Sequence, residues 1–341
     1  MQDWPRFLAD LTTWYPWHRQ RGTIPARWKD HDIGGICRAL GAAAWEPVKP
    51  WRLELPGIGV RDERGDAERL LQWETPKGIL TSRWTLGPDG DWWQSEYPVK
   101  SGSDIEAALL VAEARHYATL PATAAPAHAP RVIELPQRPW SELFHSFLGW
   151  SEGLILFLEE PDRLREIAAL LEERLAVLEE SLAGADADLV LCPDNLDGQF
   201  ISAPDFDAHM AASYRRTTTL MHDGSKRVVV HAGGPLRRLL PGLAAAGVDC
   251  VEGICGPPQG DMTLLEARAE CGGVVAWGGL AQDYLLATRT EEEFLAAARE
   301  AVRQAAADPR VILGVADRVP VDSLPDRLMT LAEMAGSLQE R

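Results

Sequence analysis

His231 and Glu252 are the residues of this chain best placed to do chemistry. They lie twenty-one positions apart, each at or near the end of an apolar, β-branched run. Lys226–Cys255 reads as strand, glycine turn, helix and strand: KRVVVH, then Gly233 and Gly234, a helical stretch closed by Gly247, and VDCVEGI. In a parallel α/β fold, the carboxyl ends of the strands are where substrates meet side chains. Other predicted strands end in the same way. Asp194 and Asn195 follow the strand expected at 187–192, Asp317 and Arg318 the one at 310–316, and Arg138 the one at 131–135, while Trp277 closes the one at 273–277. A histidine, carboxylates, an amide and arginines on one rim suit general acid–base work or a divalent metal. The expected catalytic residues are His231, Asp194, Asp317 and Glu252. Asn195, Arg138, Trp277 and Arg318 are expected to bind substrate, and His231 and Glu252 to be the ligands if a metal is held. Each also has a structural reading: Asp194 and Asn195 could serve a turn or cap, and Glu252 could be a buried, hydrogen-bonded strand residue.

The elements that must carry these residues alternate from Arg131 onward. Strands at 131–135, 187–192, 227–231, 248–254, 273–277 and 310–316 are separated by helical stretches. Ser202/Asp205, Thr263/Glu266 and Thr290/Glu293 mark helix starts. Both a (β/α)₈ barrel and an open doubly wound sheet fit this order, but no GxGxxG follows a strand. A barrel needs two more strands from the N-terminal part, and Thr23–Arg27 is one candidate. Residues 1–120 are read as an extension. Ten of the thirteen tryptophans fall there, and strands at 51–55, 69–74, 78–86 and 92–97, with a GPDG turn at 87–90, form a small antiparallel sheet. A helix follows at 103–117. PATAAPAHAP at 121–130 is a connector, and 121–341 is the main domain.

The chain has 341 residues and a formal net charge of −17, which disfavours nucleic acid. Its five cysteines form no framework and are expected to be reduced thiols of a cytoplasmic protein. The opening residues do not resemble a signal peptide, and no apolar run approaches a membrane span.

Several motifs in order resemble the uroporphyrinogen decarboxylase superfamily. They are SFLGWSEGLILFLEEPDRLREI (146–167), NLDGQFISAPDF (195–206), HAGG (231–234), GVDCVEG (247–253), PPQGDMTLLEAR (257–268), WGGL (277–280) and GVADRVP (314–320). WETPKGILTSRW (73–84) and WWQSEYPVKSGSDIEA (92–107) are similar to a segment of uncharacterised members. The resemblance implies a TIM-like (β/α)₈ barrel, often a homodimer, with its site at the C-terminal rim. It also implies one of two chemistries. The first is cofactor-free decarboxylation of uroporphyrinogen acetate groups; its arginine-rich motif has only a loose echo in His18–Gly22. The second is methyl transfer between a separate corrinoid protein and a thiol, at a zinc held by a His-x-Cys pair and a later cysteine. His231 matches that histidine, but Gly233 stands in place of the cysteine and the later cysteine falls near Ala316 or Asp317. An atypical member is therefore expected, an enzyme acting on a small molecule. The leading expectation is a methyltransferase-like enzyme with zinc or another divalent metal on the rim. The alternative is a metal-free decarboxylase or other lyase, in which Asp194 or Asp317 faces a developing cation and Arg138 or Arg318 holds a carboxylate.

Overall fold

A computed structural model describes residues 4–121 and 129–338. Most of the expected connector lies outside these residues. In chain order the strands are β1 (Leu8–Ala9), β2 (Ala43–Ala44), β3 (Trp51–Glu54), β4 (Gly59–Arg64), β5 (Glu68–Thr75), β6 (Gly78–Leu86), β7 (Trp92–Glu96), β8 (His116–Thr119), β9 (Val132–Glu134), β10 (Leu189–Leu196), β11 (Arg227–Ala232), β12 (Cys250–Ile254), β13 (Val275–Leu280) and β14 (Val311–Val315).

The chain forms two compact units, and it enters each of them twice or more. Among the described residues, one comprises 4–48, 129–134 and 186–338; the other comprises 49–121 and 135–185. The division expected near residue 120 is drawn differently here. Residues 4–48 join the first unit because Phe7 and Val48, flanking the β1–β2 pair, bridge Leu313 and Ile133, and no change of composition at residue 48 announces it.

In the first unit, β9 to β14 form a parallel six-stranded sheet in sequential order. Phe7, just before β1, forms a parallel bridge with Leu313 of β14, and Val48, beyond β2, forms one with Ile133 of β9. The expected strand at 23–27 does not exist; Ala26–Trp28 is a short 3₁₀ turn. The N-terminal partners are instead the two-residue strands β1 and β2, too short to leave a periodic signal in sequence. The three helix starts behave as read: Ser202 accepts from the Asp205 amide, and Thr263/Glu266 and Thr290/Glu293 are reciprocal capping boxes. Side chains from the strands and from Trp45 meet in one apolar cluster: Leu8, Trp45, Val132, Leu189, Leu191, Val229, Cys250, Val275, Trp277 and Ile312.

In the second unit, β4–β5–β6–β7 is an antiparallel meander, and β3 pairs separately with β8. The helix expected at 103–117 stops at Ala114, and His116–Thr119 turns extended to meet β3. Among the described residues no helix is long and apolar enough to cross a membrane.

Candidate functional site

Strand parity decides which residues reach the site. Successive side chains on a strand point to opposite faces. Val132, Leu191, Val229 and Cys250 all lie in the apolar cluster. The residues two positions further on, Glu134, Pro193, His231 and Glu252, line a cavity of about 330 Å³ above it. Asp10 and Thr12 beyond β1, Trp45 and Pro47 beyond β2, Leu191, and Asp317 and Arg318 beyond β14 complete the lining.

Register then brings the two central groups together. His231 of β11 lies opposite Glu252 of β12. The imidazole Nδ1 is in short hydrogen-bond contact with Glu252 Oε2. Glu252 Oε1 accepts the backbone N–H of Asp317 at 2.9 Å, so one carboxylate ties β11 to the turn after β14. His231 Nε2 lies 3.9 Å from Asp317 Oδ1. Asp317 adopts a left-handed backbone (φ 71°), and its Oδ2 accepts from the Gln282 amide at 3.0 Å. Arg318 Nε stands 3.7 Å from Asp317 Oδ1, and its Nη1 donates to Thr13 at 2.9 Å.

A bulge aims Glu252. The β12–β13 register shifts between Glu252 and Ile254, and Gly253 there has φ 96°. A Cβ on Gly253 would stand 2.0 Å from the Ala232 carbonyl oxygen. Gly253→Ala is therefore expected to cost at least about 1–3 kcal/mol of backbone strain, and to pull Glu252 off His231. Thermal unfolding alongside turnover would check both effects.

Charge follows from this packing. Burial opposes a charge on His231, but the Glu252 carboxylate, through its field and hydrogen bond, outweighs it and raises the imidazole to about 9. Burial pushes Glu252 up to about 7 against the pull of His231. Burial likewise pushes Asp10 up to about 6, against the hydrogen bonds from Thr12. At neutral pH the dyad thus holds a proton, and the ring is the place that keeps it.

Four expected residues do not line the cavity. Asp194 follows Pro193, so parity turns it to the opposite face, where it is fully buried and accepts from the Tyr214 hydroxyl. Asp194→Asn should lower stability by about 1–3 kcal/mol while leaving ligand affinity unchanged, testable by denaturant unfolding and titration. Asn195 takes a left-handed conformation (φ 49°) and packs on the HAGG turn; a Cβ at Gly233 would meet its Oδ1 at 1.9 Å. That contact explains why glycine occupies the position where the methyltransferase branch would have cysteine. Trp277 is a core residue, packed edge-on against Trp45 at 4.8 Å between centroids. Gly314 makes room for its indole. Arg138 belongs to the other unit, buried against Glu179 at 3.2 Å.

Three polar lining residues, Asp10, Thr12 and Glu134, escaped the sequence reading. Asp10 and Thr12 follow a strand of two residues. Glu134, however, ends a predicted strand just as Glu252 does, and the same reasoning would have found it.

The expected metal does not suit this donor set. His231 and Glu252, the expected ligands, spend their facing atoms on each other, and Glu252's second oxygen is spent on a backbone N–H. Among the described residues no group of three or more His, Cys, Asp or Glu is arranged to hold a metal ion. A structural or catalytic zinc site normally takes at least three such ligands.

No curated protein matches the chain in sequence. Among solved structures, a methyltransferase from Methanosarcina mazei superposes over 73% of this chain and 72% of its own, with 11% identity and a TM-score of 0.51; at that identity the likeness is one of fold. A mandelate racemase/muconate lactonizing protein from Herpetosiphon aurantiacus aligns over 85% of this chain and 79% of its own, at 11% identity and a TM-score of only 0.31. The family model for uroporphyrinogen decarboxylase (URO-D) matches residues 143–338, which include β10 to β14 and with them His231, Glu252, Asp317 and Arg318. More than half of the chain lies within that match, and the chain belongs to the uroporphyrinogen decarboxylase family.

Proposed function

We propose that the chain is a metal-free lyase of the decarboxylase kind, acting on a small carboxylated molecule in the cavity above the apolar cluster. The observation that carries this reading is the His231–Glu252 dyad, which opens its Nε2 side towards Asp317 and has Arg318 in the same lining. Arg318 orients the substrate carboxylate. The bond to the carboxyl carbon breaks, carbon dioxide leaves, and the electron pair passes into the unsaturated system of the substrate. His231 Nε2 then delivers a proton to the carbon that carried the carboxyl group, which gives the neutral product and leaves a neutral imidazole to be reprotonated from solvent, and Asp317 faces the imidazolium before that transfer. Of the residues weighed for this chemistry, Asp317 and Arg318 line the cavity, whereas Asp194 and Arg138 are committed elsewhere.

The scaffold in this reading is a closed (β/α)₈-type barrel. The parallel bridges Phe7–Leu313 and Val48–Ile133 and the cluster fed from these strands support closure. A methyl-transfer reading with a separate corrinoid protein keeps the likeness of fold, but it finds no donor set for a metal in this cavity.

The test is release of labelled carbon dioxide from a panel of carboxyl-labelled aryl- and pyrrole-acetates, with and without chelator. Release by the wild type that is indifferent to chelator and lost in His231→Gln supports the reading. Methyl transfer from a methylcorrinoid to a thiol, abolished by chelator, contradicts it.

A further inference from the structure

Asp317 is held from two sides, and neither hold lets it reach His231. Its backbone N–H donates to Glu252 Oε1 at 2.9 Å, and its Oδ2 accepts from Gln282 Nε2 at 3.0 Å. The same Gln282 nitrogen donates to the Arg318 carbonyl at 3.2 Å, so one side-chain amide brackets the left-handed Asp317 turn. Both of its partners are acceptors, which fixes the nitrogen, and not the oxygen, on this side. The other carboxylate oxygen, Oδ1, stops 3.9 Å from His231 Nε2 and 3.7 Å from Arg318 Nε, beyond hydrogen-bond reach of both cations. Gln282 itself does not line the cavity. It opens the 3₁₀ turn Gln282–Leu285 after β13. The Ala316 N–H donates to the Leu280 carbonyl at 2.7 Å, and Ala281 and Ala316 share a small apolar cluster with Cys255, so this turn is anchored beside the end of β14.

We infer that Gln282 is a positioning residue that keeps the Asp317 carboxylate at a stand-off from His231 Nε2. At the distance observed the carboxylate favours a charged ring through its field, while Nε2 has no hydrogen-bond partner among the described residues. Closure by about 1 Å would make a direct, charge-assisted hydrogen bond and lock the Nε2 proton between ring and carboxylate. A freed Asp317 is drawn that way, because Arg318 Nη1 already donates to Thr13 at 2.9 Å whereas the Nε2 proton is unclaimed. The spacing itself does not depend on the reaction. Its consequence for turnover rests on the reading of His231 Nε2 as the group that delivers the proton.

The test follows the His231 imidazole by ¹⁵N spectroscopy to pH 11 in four forms of the full chain: wild type, Gln282→Met, Asp317→Asn and the double variant. In the wild type, burial lowers the midpoint of the ring, Glu252 and Asp317 raise it and Arg318 opposes them, with the balance at about 9. Gln282→Met is expected to raise the midpoint by about half a unit or more, roughly a threefold gain in proton affinity, as the carboxylate closes on the ring. Asp317→Asn should lower it, and adding Gln282→Met to Asp317→Asn should change it no further. A glutamine that merely braced the 3₁₀ turn would give neither the upward shift nor its dependence on Asp317. Gln282→Ala, which adds no bulk, takes the place of Gln282→Met if circular dichroism shows that the latter fails to fold. A midpoint that stays or falls in the folded variant, or an upward shift that persists without Asp317, would overturn the inference. Carbon dioxide release should fall about tenfold or more in Gln282→Met. A raised midpoint with release undiminished would sink Nε2 as the proton donor and leave the spacing role standing. An unmoved midpoint with release intact would sink the spacing role and leave the proposed reaction standing.

Discussion

His231→Gln is expected to lose turnover by about 10²–10⁴-fold while the protein stays folded and still binds ligand. Glutamine keeps a neutral amide in the site but removes the titrating imidazole, and with it the proton that Nε2 can deliver. His231 sits at the mouth of the apolar cluster and not within it, so the loss of packing is small. If His231 merely braced the strand ends, stability would fall and the remaining folded fraction would turn over normally. Steady-state rates, set beside ligand titration of the same sample, separate the two outcomes. Added imidazole should restore part of the rate only if the missing group is the proton donor.

Glu252→Gln is expected to cost roughly 10²–10⁴-fold in rate, because the carboxylate fixes both the orientation and the charge of the imidazole. Its effect on stability depends on pH. The folded protein holds His231 at about 9, above its ordinary 6.5, and Glu252 at about 7, above its ordinary 4.5. The histidine contribution is full below pH 6.5 and is lost as pH rises through 9. The glutamic acid contribution is full below 4.5 and is lost through 7. Both have the same sign, since the folded state binds more protons than the unfolded chain across this window. Asp10, raised from 3.8 to about 6, adds to the slope at its acid end. Wild-type stability should therefore decline from about pH 5 to pH 9, and Glu252→Gln should flatten much of that decline. Near pH 6 the variant should be less stable by about 1–3 kcal/mol, having lost a buried hydrogen bond to a charged group. Denaturant unfolding at a series of pH values gives the curve. A wild-type profile that rises across this range would contradict the assignment.

The parallel core was legible because each of its strands is an apolar run closed by a polar residue or a glycine turn, and three of the helices between them start at a capping pair. The same pattern pointed to His231, Glu252, Asp317 and Arg318. Asp194 misled because a strand end names a level and not a face. Its neighbour Pro193 has the inward parity, and Asp194 turns outward to Tyr214. Trp277 has the right parity but is a ring large enough to fill the space beneath the cavity, where Gly314 admits it. Arg138 failed for a reason of topology, since the chain leaves the first unit just after β9. Asp10, Thr12 and Trp45 were hidden because β1 and β2 are two residues each. Their pairing comes from the partners they find far along the chain, and nothing in their own short sequences signals it. The register that sets His231 opposite Glu252 pairs the two residues expected as metal ligands with each other.

The most direct measurement of the central claim is the ¹⁵N spectrum of the His231 imidazole, assigned by comparison with His231→Gln and followed from pH 5 to 10. The account predicts a doubly protonated ring at pH 7 that titrates near pH 9, and a return towards 6.5 in Glu252→Gln. A ring that is neutral at pH 7 in the wild type, with the same midpoint in the variant, would contradict the proton-holding dyad on which the proposed function rests.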